Sequence, residues 1–232
     1  KWDQRILSHC KKSQKTCFRL NQFQPNTQFS VFPPAIKYLL FANGIIFLIT
    51  KSMFTGAWTP LGEIIAQFGA LWSLDGGSSS PSFMPWQLVT YMFLHADLSH
   101  VFFNLFALWI FGQAVENLWG TQRFVIYYFL TGIGAGLIHM LVGGYFTYTI
   151  GASGAVFGIL LAFGMMYPDR YIILLFPPIP IKAKYFVAIY GGIELFSGLS
   201  RSDSGVAHFA HLGGLLVGFI LIKMWKINKP AQ

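Results

Sequence analysis

Charge is the first thing this sequence has little of. Of its 232 residues only 10% are Asp, Glu, Lys or Arg, while 54% are hydrophobic and 18% aromatic. A soluble domain of this length does not need so much apolar surface, and here it comes in long blocks, which excludes an ordinary water-soluble enzyme. Cysteine is scarce too. Cys10 and Cys17 stand at a spacing that fits no zinc or redox motif, and on the cytosolic side of a membrane they are expected to be free thiols. No His-Glu-x-x-His sequence occurs, which argues against a metal-dependent membrane protease built on His95, His100, His208 and His211. Internal repeats with paired broken helices, the mark of a transporter, are missing as well. The first thirty residues have no apolar core and no small-residue cleavage site, so no signal peptide is expected there. No methionine precedes Met53, and the chain is expected to be a trimmed or processed product.

What remains is an all-α polytopic membrane protein. Residues 1–34 form a basic arm, with Lys1, Arg5, Lys11, Lys12, Lys15 and Arg19 against Asp3, and it reads as a solvated tail. Residues 35–226 form one six-span domain, and residues 227–232 a short tail. The six spans are expected at 36–54, 98–118, 124–142, 153–167, 181–199 and 205–225, with Asp97 capping the second. Between the first two, residues 58–74 are apolar but too broken to cross and read as an interfacial element, followed by the flexible residues 76–80. Lys and Arg concentrate in the arm, in the turns holding Arg123 and Arg170, Lys182 and Lys184, and near the C-terminus at Lys223, Lys226 and Lys229. The positive-inside rule therefore places both termini in the cytoplasm, with a plasma (inner) membrane as host. The net charge of +8 reports this orientation, and no nucleic-acid partner is expected.

Residues 150–158, Ile-Gly-Ala-Ser-Gly-Ala-Val-Phe-Gly, carry the chemistry. The helix they open is about 15 residues long, or about 22 Å, against a hydrocarbon core of about 30 Å. Ser153 should therefore lie roughly 8 Å below the outer surface, beside a wet cavity. His211, six residues into the last span, and Asn104, six residues into the second, both fall about 9 Å down. His100 lies one turn above Asn104 on the same face. Alone, each has a bland explanation: a serine among small residues packs, a histidine such as His139 accepts a hydrogen bond, and an asparagine joins helices. Together at one depth they suit acyl transfer. Ser153 is the candidate nucleophile and His211 its base; His100, Asn104 and the Ser153 N–H are candidate donors to an oxyanion. No carboxylate is expected at matching depth on these three spans, which leaves a serine–histidine dyad. His208 is expected to border the cavity; Glu194 either borders it too or reaches interfacial water, the second being the preferred reading. Gly132/Gly136, Gly154/Gly158 and Gly214/Gly218 are spaced for close helix contacts.

In series these residues resemble the rhomboid family of intramembrane serine proteases: His95, then His100-Val-Phe-Phe-Asn104, Glu116 with Gly120 and Arg123, Gly151-Ala-Ser153-Gly154, and Ala210-His211-Leu-Gly213-Gly214. The resemblance covers residues 36–225. It implies a six-helix bundle with Ser153 as nucleophile and His211 as base, His100 and Asn104 stabilising the oxyanion, and neither cofactor nor metal. It further implies transmembrane protein substrates, cut near the outer ends of their spans within the lipid bilayer. The alternative is a catalytically silent relative that only binds membrane proteins, although such a relative is expected to have lost Ser153 or His211. Trp86-Gln87 departs from the Trp-Arg of some members, so its contact with the bilayer is expected to differ.

Overall fold

The computed structural model describes residues 29–52, 55–74, 81–142, 148–174, 178–200 and 207–227. The basic arm up to residue 28 with both cysteines, residues 76–80, Arg201 and Lys229 lie outside the described residues. Among the described residues the fold is helical, with two small two-stranded ladders.

Helix α1 (Pro34–Thr50) starts on a proline, whose missing N–H would be unpaired at that position anyway. No local side chain caps it. Instead the buried carboxylate of Glu116 accepts the N–H groups of Ala35 and Ile36, each at 2.9 Å, and the Thr121 hydroxyl at 2.7 Å. Glu116→Ala is expected to leave those donors without their acceptor and cost about 3 kcal/mol, since hydrogen bonds to charged groups contribute about 1.5–3 kcal/mol each. Thermal unfolding in detergent checks this; an unchanged melting temperature would remove the cap.

Helix α2 (Pro60–Gly69) is capped by Thr59, whose hydroxyl accepts from Gly62 N–H at 2.9 Å. Strand β1 (Leu71–Trp72) follows. It pairs antiparallel with β2 (Tyr148–Thr149), Leu71 opposite Thr149 and Trp72 opposite Tyr148, with the latter rings 5.1 Å apart. This ladder joins the connection that follows α1 to the loop that delivers Ser153. Short helix α3 (Gln87–Thr90) runs into a 3-10 turn, Tyr91–Phe93, and the Tyr91 carbonyl accepts the Gly151 N–H at 2.9 Å. Gln87 is buried: its Oε1 accepts from Met84 N–H at 3.1 Å and Trp72 N–H at 3.4 Å. It therefore organises this connection instead of meeting the bilayer; the exposed member of the pair is Trp86.

Helices α4 (Leu98–Trp119) and α5 (Thr121–Val142) have 22 residues each and are long and apolar enough to cross a membrane. Gly120, at φ 80°, is the whole turn between them, so α5 begins three residues before the expected start at 124. Helix α6 (Ser153–Met166) is shorter, at 14 residues. Strands β3 (Tyr171–Ile173) and β4 (Pro180–Lys182) then form a hairpin, so helix α7 (Ala183–Leu199) starts later than the expected 181: residue 181 is paired with Ile172. Helix α8 (His208–Met224) closes the order.

Helix α6 is the core element. Ten of its residues, from Gly154 to Met166, are buried, and it packs against α4, α5, α7 and α8. The outer surface is apolar instead: Tyr38, Phe41 and Leu48 on α1, Phe102 and Phe103 on α4, and Ile189 and Phe196 on α7 are exposed. Large apolar residues outside and small ones between helices suit a hydrocarbon solvent, where close packing takes over from hydrophobic burial.

Candidate active site

Ser153 is the first residue of α6. The chain reaches it through Gly151, whose φ of 123° disfavours any residue with a Cβ. A Cβ on Gly151 would also stand 2.8 Å from His100 Nε2, with Ser153 Oγ 3.8 Å away. These three residues bound one small space. No side chain caps α6, so its first-turn N–H groups and the positive end of its dipole are left to that space.

His211 arrives on α8 because glycine lets the two helices touch. Gly214 lies against the carbonyl of Gly154, and Gly218 against the Cα of Gly158 and the hydroxyl of Tyr127. That hydroxyl also donates to the Gly158 carbonyl at 2.9 Å, tying α5 to the same seam. The result is a contact of 2.7 Å between Ser153 Oγ and His211 Nε2. Phe157, one turn after Ser153, stacks on the imidazole with centroids 4.4 Å apart and planes within 9°.

Helix α4 brings His100 and Asn104. Asp97 caps it, accepting the His100 N–H at 2.9 Å and the Ser99 hydroxyl at 2.5 Å. The Ser99 hydroxyl, with the His100 N–H, holds the Asp97 carboxyl below the usual carboxylate range. His100 Nδ1 accepts the Ala96 N–H at 3.2 Å. In a neutral ring the single proton then sits on Nε2, the atom facing Gly151, so His100 presents a donor to the space beside Ser153. His95, fully buried, packs edge-on against it with centroids 5.0 Å apart. Asn104, also buried, gives one amide hydrogen to the His100 carbonyl at 2.9 Å and keeps the other.

Glu194 is not the water-reaching carboxylate expected from the sequence. Its side chain is 12% exposed, and its Oε2 lies 2.7 Å from His208 Nδ1 and 3.0 Å from His211 Nδ1. The helices that carry Ser153, His211 and Asn104 supply no carboxylate beside the base, but α7 does. The contact to His211 is off hydrogen-bond alignment, and the buried Nδ1 has no hydrogen-bond partner elsewhere among the described residues. Among the described residues, Glu194, His208 and His211 are also a set that could hold a metal, with donor atoms within 4.8 Å of one another. Ligands around a tetrahedral zinc, bonded at about 2.0–2.2 Å, stand roughly 3.4 Å apart. Both contacts to Oε2 are shorter, as for paired hydrogen-bonding groups, and a zinc ion would have to spread them.

Sequence reasoning thus singled out Ser153, His211, His100 and Asn104, and the structure gathers the first three around one space with Asn104 a turn below. It missed Phe157, although its spacing of four from Ser153 puts both on one helix face. It left Glu194 between the cavity border and interfacial water and preferred the water, although a lone acid in an apolar helix signals function by its cost alone.

Residues 82–226 match the rhomboid domain family. The chain is 31% identical over 226 residues to rhomboid-like protein 11, chloroplastic, of Arabidopsis thaliana, covering 94% of this chain and 78% of that protein. It is 29% identical over 204 residues to rhomboid protease GluP of Bacillus subtilis (84% of this chain, 36% of that one). With rhomboid-like protease 3 of Toxoplasma gondii the identity is 28% over 180 residues, covering 77% and 64%. Against the second of these relatives, this chain spans little more than a third of the length.

Proposed function

The chain belongs to the rhomboid family, and from that premise we propose that it is an intramembrane serine endopeptidase in which Ser153 is the nucleophile and His211 its general base. The observation that carries this reading is the 2.7 Å contact between Ser153 Oγ and His211 Nε2, within the reach that nucleophilic catalysis needs. Helices α1, α4, α5, α6, α7 and α8 are the six spans of the domain at 35–226. Both termini face the cytoplasm of a plasma (inner) membrane, by the distribution of Lys and Arg.

The substrate is a single-pass membrane protein, cut near the outer end of its span. Its backbone carbonyls are engaged within a helix, so a few residues must unwind before one can reach the start of α6. Ser153 Oγ then bonds to the carbonyl carbon while its proton passes to His211 Nε2. The carbonyl oxygen becomes an oxyanion, met by the Nε2–H of His100, the free amide hydrogen of Asn104 and the Ser153 N–H. The proton on His211 goes to the departing amine as the C–N bond breaks, and water releases the acyl group by the same steps in reverse roles. No step calls for a cofactor.

Cleavage of a single-pass substrate in liposomes tests this reading. It should be insensitive to chelators and require Ser153, whereas a silent binding relative would hold the substrate without cutting it. Asn104→Ala is expected to lower kcat by about 10²-fold, the loss typical of one oxyanion donor, with melting little changed. An unfolded Asn104→Ala protein would return this residue to a joint between helices.

A further inference from the structure

Glu194 has no task in a serine–histidine dyad, yet it lies directly behind the histidine. The remainder of its neighbourhood on α7 is lipid-like: Tyr190, Ile193, Leu195 and Phe196 are exposed and apolar. A carboxylate on such a helix is costly unless it is partnered. Its partners are His208 and His211, three residues apart on one face of α8: His208 Nδ1 is hydrogen-bonded to Oε2 at 2.7 Å, and His211 Nδ1 lies 3.0 Å from the same oxygen, close enough to feel its charge though off hydrogen-bond alignment.

We propose that Glu194 is a positioning residue of the site, holding His211 in the tautomer that can act as a base, so that α6, α8 and α7 contribute a Ser153–His211–Glu194 chain. This rests on the roles given above to Ser153 and His211. A neutral imidazole has one N–H. With that proton on Nδ1, Nε2 offers a lone pair to Ser153 Oγ; with it on Nε2, the ring cannot take the serine proton. An ionised carboxylate only accepts, so beside Nδ1 it selects the first form. When Ser153 attacks, its O–H bond breaks, Oγ bonds to carbon and the proton stays on Nε2. The imidazolium then carries its charge 3.0 Å from Glu194, which gains no proton itself. His208 Nδ1 is bonded to the same carboxylate oxygen, and Phe157 lies flat on the His211 ring. His211 is thereby held at one face and at Nε2, while the Glu194 charge acts on Nδ1 across 3.0 Å.

The test uses the full chain in liposomes, with Glu194→Gln, Glu194→Asp and Ser153→Ala compared to the unaltered protein. The readouts are kcat and KM for a single-pass substrate, the rate at which a fluorophosphonate labels Ser153, and thermal melting. Glutamine fills the same space but can offer an N–H to Nδ1, which selects the inactive tautomer. Glu194→Gln is therefore expected to lose kcat by roughly 10²- to 10⁴-fold with KM unchanged, in the manner of the serine-protease aspartate. Labelling of Ser153 should slow in parallel, because it reads the nucleophile without a substrate helix. Glu194→Asp keeps the charge and should recover at least about tenfold of the loss, since a retained acceptor restores the tautomer even through a longer contact. Glu194→Gln at the wild-type kcat overturns the proposal. So do equal losses in Gln and Asp variants that track a lowered melting temperature, because that is the pattern of a purely structural residue. Cleavage surviving in Ser153→Ala would instead remove the nucleophile assignment; a dead Ser153→Ala beside a fully active Glu194→Gln would remove only the role of Glu194.

Discussion

Ser153→Ala and His211→Ala will each abolish cleavage while the helices stay folded. In serine proteases, loss of the nucleophile or the base alone lowers kcat by about 10⁶-fold, nearly as much as losing the whole catalytic set, because the groups act as one unit. The same is expected here, since the 2.7 Å contact joins Ser153 to His211 and no other nitrogen base is in hydrogen-bond contact with that hydroxyl among the described residues. The double variant should be no slower than either single one. Ser153 is half-buried at a helix start, and His211, though buried against Phe157, lies a turn before the glycine contact at Gly214, so its loss leaves that seam closed. Circular dichroism and melting should therefore stay close to the unaltered protein. His208→Ala is the control. It removes one anchor of Glu194 but not the base, and activity should stay within about tenfold, less than the loss of one oxyanion donor. Wild-type cleavage by Ser153→Ala would refute the assignment, and complete loss in His208→Ala would mean that the wrong histidine had been chosen.

Much of this arrangement was legible because depth along a helix is a countable quantity. Ser153, His211 and Asn104 share a level when residues are counted from the outer ends of their segments, with His100 one turn above Asn104, and short polar motifs surround each one. The cap at Asp97 was legible for the same local reason, lying immediately before an apolar run. Contacts between distant segments were not. Glu194 stands near the end of α7, where counting gives an interfacial position, and only the orientation of α7 against α8 turns its carboxylate inward. Glu116 carried a motif but no visible task, since the N–H groups it serves lie about eighty positions away on α1. The ladder between β1 and β2 has just two residues on each strand, too short for any alternation in the sequence to announce it. Helix starts moved where a single residue decided them, as at Gly120.

The tightest constraint on the site is backbone against backbone, and it predicts a large effect from the smallest possible change. Gly214→Ala adds one methyl group where α8 meets the carbonyl of Gly154. A flexible side chain could move aside, but a carbonyl within α6 cannot, being fixed at the start of the core helix by its neighbours. Gly154 itself is confined on its other side, where a Cβ would stand 2.5 Å from that of Ala135 on α5. Helices α6 and α8 must therefore separate. Ser153 and His211 lie at the near end of this seam, and a displacement of about 1 Å is enough to cost about 10²-fold in rate. Gly214→Ala is expected to lose at least that much kcat and, as an overpacked contact, about 1–3 kcal/mol of stability. Gly192→Ala supplies the contrast, because a Cβ at that position on α7 meets nothing within 4 Å. It should leave kcat unchanged and stabilise the helix by up to about 1 kcal/mol. The measurements are cleavage rates in liposomes and melting curves for both variants, with Ser153 labelling by a fluorophosphonate to separate a displaced site from a misfolded one. Wild-type cleavage and melting in Gly214→Ala would show that the seam can open without moving the site, and the account of how α6 and α8 bring serine to histidine would have to be given up.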